Sequence, residues 1–348
     1  MKILQVTPRY PPQSGGVETH VKEISEGLVE HGYEVTVISA DAQKESERQE
    51  RRDGVAVQRY RSVAPNNAMH VCPQIAMAVR QSDADIIHAH NYHSFPLFFA
   101  ALGVGDRKFV VTTHYHGEST SSLRNRLLSL YRPFGRWAVR RADEVIAVSE
   151  WESEQLATDF DVDATVIQNG VDGERFAQAQ PIERGRPYLL TVGRLVEYKG
   201  VQHVIRAMVE LPEYDLLVAG SGPYQEVLMQ IARENGVENR VNFLGYVDEE
   251  ELPGLYAGAD VYVTMSEFEA YGMTVAEALA AGTPCVVREV GGLRDWIEIE
   301  GVLGLRDISS QAIAQTIKSQ TDTQVSSHNP NSWLNVTNQL IQTIYDLE

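Results

Sequence analysis

The chain has 348 residues, 43% hydrophobic and 22% charged, a composition ordinary for a globular protein and a length that suits two domains with separate cores. A net charge of −18 disfavours nucleic acid as a partner, because most of the surface would repel a polyphosphate. Two cysteines, Cys72 and Cys285, cannot make a disulfide framework or a four-thiolate metal site; both read as small core residues, with an exposed thiol as the alternative for Cys72. No apolar run approaches the roughly 20 residues of a membrane span, and the chain enters a strand at Lys2 without a signal peptide, so the expected location is the cytoplasm. Only six basic residues are Lys and the other 24 are Arg, which with the acidic balance is compatible with a halophilic host.

From the start, short apolar strands alternate with amphipathic helices. Lys2 to Thr7 predicts a strand, Pro8 to Gly16 a loop, and Val17 to Glu30 a helix with Val17, Val21, Ile24 and Leu28 along one face. The strand Glu34 to Ser39 completes a strand-helix-strand unit, which implies a parallel sheet covered on both faces. Asp41 to Asp53 is polar and reads as a solvated loop. Asp85 to His90, Phe109 to Thr113 and Asp143 to Ser149 predict further buried strands, the last followed by a helix from Glu150. The first domain is expected to span 1–176. Ala177 to Pro187, polar with two prolines and a glycine, is the linker. A second domain over 188–330 repeats the pattern with strands at Tyr188–Val192, Asp215–Ala219, Val241–Leu244, Asp260–Thr264 and Pro284–Val287; the elements of Gly301 to Asn331 stay undefined. The last helix is Ser332 to Leu347. Two such α/β halves are expected to face each other across a cleft, with ligands bound outside the carboxyl ends of the strands.

Four loops at those carboxyl ends hold residues that could carry chemistry. Ser14-Gly15-Gly16 opens the first helix, and its glycines allow close backbone approach to a phosphate or sugar at a helix N-terminus; it is not the dinucleotide fingerprint. His114 follows the Phe109–Thr113 strand, where an imidazole can bond a substrate. His88, His90, His93, His114 and His116 raise a metal site, but no carboxylate cluster with ligand spacing accompanies them, and no metal is expected. Arg194 and Lys199 share one strand-to-helix loop, a guanidinium fork and a point charge both suited to phosphate. Lys199 is the only lysine between 109 and 317. Finally, Ser266 to Pro284 places Glu269 in a loop and Glu277 inside a helix that follows Gly272, with Thr274 as its expected cap and Gly282 and Pro284 as its stop. Paired carboxylates suit a glycoside hydrolase, but the neighbouring cations imply a pyrophosphate-like leaving group instead.

In this order and spacing the pieces resemble the GT-B glycosyltransferases of family 4 over nearly the whole chain. They are Ser14 to Glu18, Asp85 to His90, Thr113-His114, Ala142 to Ser149, Asn169 to Asp172, Val192 to Leu195 with Lys199-Gly200, Gly220 to Pro223, and Glu269-x7-Glu277 with Gly282 to Pro284. The resemblance implies two doubly wound Rossmann-like domains, the first for the acceptor and the second for the donor, with 331–348 crossing back to the first. It implies a retaining, metal-independent hexosyltransferase that needs no cofactor beyond a nucleoside-diphosphate sugar, UDP- or GDP-linked. Arg194 and Lys199 would hold the diphosphate, Glu277 the ribose, and Glu269 the donor sugar, with backbone amides of Ala270, Tyr271, Gly272 and Met273 assisting. Gly15 and Gly16 would close over the diphosphate, His114 would orient the sugar, and the base would pack near Phe243 to Val247, around Gly245. Tyr198 departs from a frequent second lysine, and Arg288-Glu289 from smaller residues. An epimerase of the same fold and a non-enzymatic sugar-nucleotide-binding protein are the alternatives.

The acceptor is a sugar or a lipid-linked molecule by the same reading. Ser119 to Ala142 holds six arginines (Arg124, Arg126, Arg132, Arg136, Arg140, Arg141) and no acid, with Leu127, Leu130, Tyr131, Phe134 and Trp137 at helical spacing and Pro133 as an expected kink. This suits an anionic membrane surface contacted through 124–141, and hence peripheral placement on the inner face of the cell membrane. The bland alternative packs the aromatics in the core.

Overall fold

Two sheets organise the chain, built from short apolar strands whose side chains are largely buried on both faces. The computed structural model describes residues 1–13, 15–42, 49–63, 69–117, 122–321, 323, 325 and 330–345, without the side chains of 122–127 and 344. By contact the described chain divides into two units, Met1–Gly170 with Trp333–Glu348, and Val171–Ser332.

The first unit holds β1 (Lys2–Thr7), β2 (Glu34–Ser39), β3 (Gln49–Arg52), β4 (Val55–Arg59), β5 (Ile86–His90), β6 (Lys108–Thr112), β7 (Glu144–Ala147) and β8 (Thr165–Val166), in the order β3-β4-β2-β1-β5-β6-β7-β8. The pairings are parallel except for β3 with β4. That hairpin corrects the sequence reading of 41–53 as one solvated loop, of which 43–48 lie outside the described residues. Its turn is Asp53-Gly54, with φ of 48° and 82°, and the Asp-Gly pair is a hairpin signal because both positions need positive φ. The helices are α1 (Gly16–Glu30), α2 (Gln74–Gln81), α3 (Phe95–Gly103), α4 (Ser122–Arg140) and α5 (Glu150–Phe160). Pro133 lies inside α4 without dividing it. Cys72 is buried, which removes the exposed-thiol alternative, and burial pushes its thiol up to about 11.

The second unit holds α6 (Gly173–Ala177), β9 (Tyr188–Val192), α7 (Val201–Ala207), β10 (Asp215–Ala219), α8 (Gln225–Glu234), β11 (Val241–Gly245), α9 (Leu252–Ala257), β12 (Val261–Thr264), α10 (Met273–Ala280), β13 (Cys285–Arg288), β14 (Val302–Leu305) and α11 (Ser310–Gln320). Its strand order is β11-β10-β9-β12-β13-β14, parallel throughout. The stretch left undefined in the sequence supplies β14 and α11. The first unit ends at Gly170 rather than at 176, because α6 packs on α9 and α10.

After the second unit the chain adds α12 (Trp333–Leu340) to the first, continued by a π-helical turn at Ile341–Tyr345. Val336, Leu340 and Tyr345 are buried among Val21, Ile24 and Leu28 of α1. A Cβ on Gly27 would stand 2.5 Å from Thr337 Oγ1, so the helices meet at a position where only glycine fits without a shift.

Candidate functional site

The parallel strands of each sheet reverse their order once, and in such sheets ligands bind outside the carboxyl ends of the strands at that reversal. In the second unit the reversal lies between β9 and β12, and the two loops that follow those strands carry the predicted cations and Glu269. Arg194 is exposed and makes no ion pair among the described residues. Lys199 Nζ donates to Glu269 Oε1 at 2.6 Å, so residues 70 positions apart form one pair. Burial pulls the Lys199 ammonium down, but the Glu269 carboxylate and the nearby Tyr198 outweigh it and hold the group above its ordinary value. The loops are also tied by Glu267 N donating to Tyr198 O at 2.8 Å. Glycines make this nesting feasible. A Cβ on Gly200 would stand 2.0 Å from Met265 O, and one on Gly220 1.9 Å from Gly193 O.

Glu277 lies one turn into α10, where Tyr256 Oη donates to its Oε2 at 2.8 Å. Burial raises this carboxyl to about 7, against the pull of Tyr256 and Arg175 and with a further push from Glu249. The helix is capped by Gly272 at φ 100°, not by Thr274, whose hydroxyl instead accepts from Tyr262 at 2.6 Å. Among the described residues no side chain caps the first turn, and Val275 N and Ala276 N donate to Gly272 O, which leaves the amides of Met273 and Thr274 as the leading donors that an anion-binding helix start requires. Tyr271 is buried, and its carbonyl accepts from Trp296 Nε1 at 2.7 Å. Gly291 and Gly292 lie so close to Glu269 and Ala270 that a Cβ on either would fall within 2.5 Å of a carbonyl oxygen. Trp296 and this glycine pair brace the motif, a role not assigned from the sequence. Gly245 ends β11 at φ 72°, its carbonyl accepting from Gly220 N.

In the first unit the reversal lies between β1 and β5. Gly15 precedes α1 in extended backbone and Gly16 begins it; a Cβ on Gly16 would meet nothing within 4 Å among the described residues. Ser14 lies outside the described residues. His20 on α1, His90 ending β5 and His114 after β6 converge, all buried, with ring centroids 4.8 to 6.1 Å apart. Burial pushes His20 down to about 4, against its bond to Asn169, and pushes His90 and His114 well below the ordinary imidazole value, so all three are neutral. His88, read beside His90 in the sequence, is committed elsewhere: Nδ1 to Tyr345 Oη and Nε2 to Thr112 Oγ1 at 2.7 Å.

His114 has φ 46°, an uncommon backbone for a non-glycine residue. Glu152 bridges its two neighbours: Thr113 Oγ1 and Tyr115 N both donate to Oε1, while Val148 N donates to Oε2 at 2.7 Å. Burial raises the Glu152 carboxyl to about 7 despite those three bonds. His20 and Glu152 are the residues the sequence reading missed. For Glu152 the signal was present, since Ser149-x-x-Glu152 is a capping pattern and Ser149 Oγ accepts from Glu152 N at 3.1 Å.

On α4 the side chains of Arg124, Arg126 and Leu127 lie outside the described residues. Tyr131 is core, but Leu130 (71%), Phe134 (51%) and Trp137 (43%) are exposed, the last two against Phe98. Arg132 and Arg140 pair with Asp159 and Asp161, and Arg141 donates to the carbonyls of Ala101 and Gly105. Among the described residues no helix is long and apolar enough to cross a membrane.

Residues 14–175 match the family model described as Glycosyltransferase Family 4, and residues 172–329 match that described as Glycosyl transferases group 1. The chain is 30% identical to an uncharacterized glycosyltransferase of Methanocaldococcus jannaschii, over 87% of this chain and 84% of that one. It is 31% identical to the GDP-mannose-dependent alpha-(1-6)-phosphatidylinositol monomannoside mannosyltransferase of Mycolicibacterium smegmatis, over 87% and 84%. Among solved structures, Anabaena HepE in complex with UDP and glucose superposes with a TM-score of 0.78 at 20% identity, covering both chains fully.

Proposed function

We propose, from the premise that this chain belongs to the family 4 glycosyltransferases of GT-B fold, that it transfers a hexose with retention, and without a metal, from a UDP- or GDP-sugar to a hydroxyl. The observation that carries the reading is the meeting of Arg194, the Lys199–Glu269 pair and the start of α10, which among the described residues has no side-chain cap, at the strand reversal of the second sheet. Arg194 and Lys199 bind the diphosphate and neutralise the charge that builds on it as the glycosidic bond breaks. Glu269, released from Lys199 as the phosphates arrive, accepts hydroxyls of the sugar, and Glu277 accepts those of the ribose. His114, neutral and buried, orients the sugar rather than the phosphates. A UDP complex of one structural relative and the GDP-mannose dependence named for one sequence relative support both donor classes.

The test is a thermal-shift screen of UDP, GDP, ADP and their sugars, in which a ligand at about 100 times its Kd stabilises by roughly 2.7 kcal/mol. Hydrolysis of the donor that stabilises is then followed by NMR in EDTA. Product released first as the donor's own anomer supports retention, and loss of turnover in EDTA would refute metal independence.

The acceptor reading is a lipid or lipid-linked hydroxyl met at an anionic membrane surface, with the protein cytoplasmic and peripheral. Its support is the exposure of Leu130, Phe134 and Trp137 on an arginine-rich helix in a chain of charge −18. Co-sedimentation with anionic and neutral vesicles tests it, and equal binding to both would remove it.

A further inference from the structure

The three imidazoles at the strand reversal of the first unit present a chemistry that sugar binding leaves unexplained. His20 Nε2, His90 Nδ1 and His114 Nε2 are buried without a hydrogen-bond partner among the described residues. One ligand atom from each ring lies within 4.8 Å of the others. The second nitrogen of two rings is already committed. His20 Nδ1 lies 2.7 Å from Asn169 Oδ1, and His90 Nε2 lies 2.7 Å from Gln5 Oε1. Gln5 is oriented by its amide nitrogen donating to Tyr345 Oη, which leaves Oε1 to accept from His90. With Nδ1–H of His20 and Nε2–H of His90 spent on amide oxygens, the nitrogens that converge carry lone pairs.

Two or three facing lone pairs in a buried pocket, with no donor between them among the described residues, each cost on the order of 1–3 kcal/mol unless something fills the space. Metal-bound histidines hold their other N–H to an oxygen acceptor in this same manner, which fixes ring and tautomer. Neutral imidazoles without a carboxylate favour zinc, copper, nickel or cobalt over magnesium or calcium.

We propose that His20, His90 and His114 form a site for a transition-metal ion of the zinc class, and that its occupation withdraws His114 from the sugar and inhibits transfer. The inhibitory part rests on the role given to His114 above; the binding part does not. Nitrogens on one tetrahedral zinc, at bonds of about 2.0–2.1 Å, stand roughly 3.4 Å apart, so the rings close on the ion by side-chain rotation.

Metal-free protein is titrated with Co²⁺ and read by the visible absorption of a four-coordinate ion, and Zn²⁺ is then added to displace it. One saturable equivalent is expected, weakened at least about 100-fold in His20→Ala and His20→Gln and about 10- to 100-fold in Asn169→Ala. His93→Ala, outside the cluster, should keep the signal. Absence of a saturable band, or a band unchanged in both His20 variants with their melting preserved, would overturn the site and identify a water-filled polar pocket, leaving the sugar role of His114 intact. Zn²⁺ should inhibit donor hydrolysis over the concentration range in which it binds, and EDTA should restore it. Binding of one equivalent with hydrolysis undiminished would overturn both the inhibitory role and the sugar contact of His114.

Discussion

At the reversal between β9 and β12 the second unit collects charge, Arg194 exposed and Lys199 held by Glu269, whereas between β1 and β5 the first collects neutral imidazoles, His20, His90 and His114. The strand arrangement at both places is the same, so the backbone offers each a similar crevice and the side chains decide what enters it. A cation pre-paired with a carboxylate is kept ionised in a partly buried place and can exchange that partner for a phosphate. Buried imidazoles that have given up their charge cannot attract a phosphate, but they can meet hydroxyls or a soft metal. Glu152 serves the second place as Gly291, Gly292 and Trp296 serve the first, by fixing a strained or crowded loop from behind.

This contrast can be broken by single changes. The largest effect is expected for Lys199→Ala, which removes the pre-paired cation and should lower kcat for donor hydrolysis by about 10²- to 10³-fold. A loss under tenfold would mean that the charge at this reversal is not spent on the leaving group. Glu269→Ala should reduce turnover more than nucleotide affinity, and Glu277→Ala the reverse; the opposite split, measured by kinetics and calorimetry, would exchange the two roles.

Glu152→Ala tests the neutral side. It leaves the amides of Tyr115 and Val148 without an acceptor, each costing about 1–3 kcal/mol, and should lower kcat through His114 while the Kd for nucleoside diphosphate holds. Unchanged turnover in a variant that melts earlier would make Glu152 purely structural.

A smaller effect separates the carboxyls by pH. Glu277, raised by burial to about 7 from an ordinary 4.5, holds its proton more tightly folded than unfolded, so the wild type should lose stability as pH climbs from about 4.5 through 7. Glu277→Gln should remove that part of the slope, and parallel melting curves for both proteins across this range would refute the assignment. The smallest effect on the fold is expected for Trp137→Ser, within about 0.5 kcal/mol in stability but with weaker sedimentation on anionic vesicles. Undiminished vesicle binding would detach this face from the acceptor.

The alternation of apolar strands and amphipathic helices was legible along most of the chain because burial on both sheet faces demands it of each strand separately. Arg194, Lys199, Glu269 and Glu277 were legible as well, since each follows a strand end or opens a helix, and the positions of charge at such places are written in one dimension. The hairpin at Asp53-Gly54 was equally written, but the charged residues around it masked the signal. The capping pattern at Ser149 to Glu152 announced a helix start and concealed a second use, because the donors that the Glu152 carboxylate accepts from, Thr113 Oγ1 and Tyr115 N, lie more than 30 positions away.

What the sequence by itself determined, then, is the fold class and which strand ends hold charged residues and which hold imidazoles, all consequences of local pattern. The tertiary structure alone decided that Lys199 closes on Glu269, that His20 joins His90 and His114 while His88 is absorbed by Tyr345 and Thr112, and that Phe134 and Trp137 stay exposed while Tyr131 does not. Those pairings depend on which strands become neighbours and which helix face meets the sheet, and local periodicity carries no record of either.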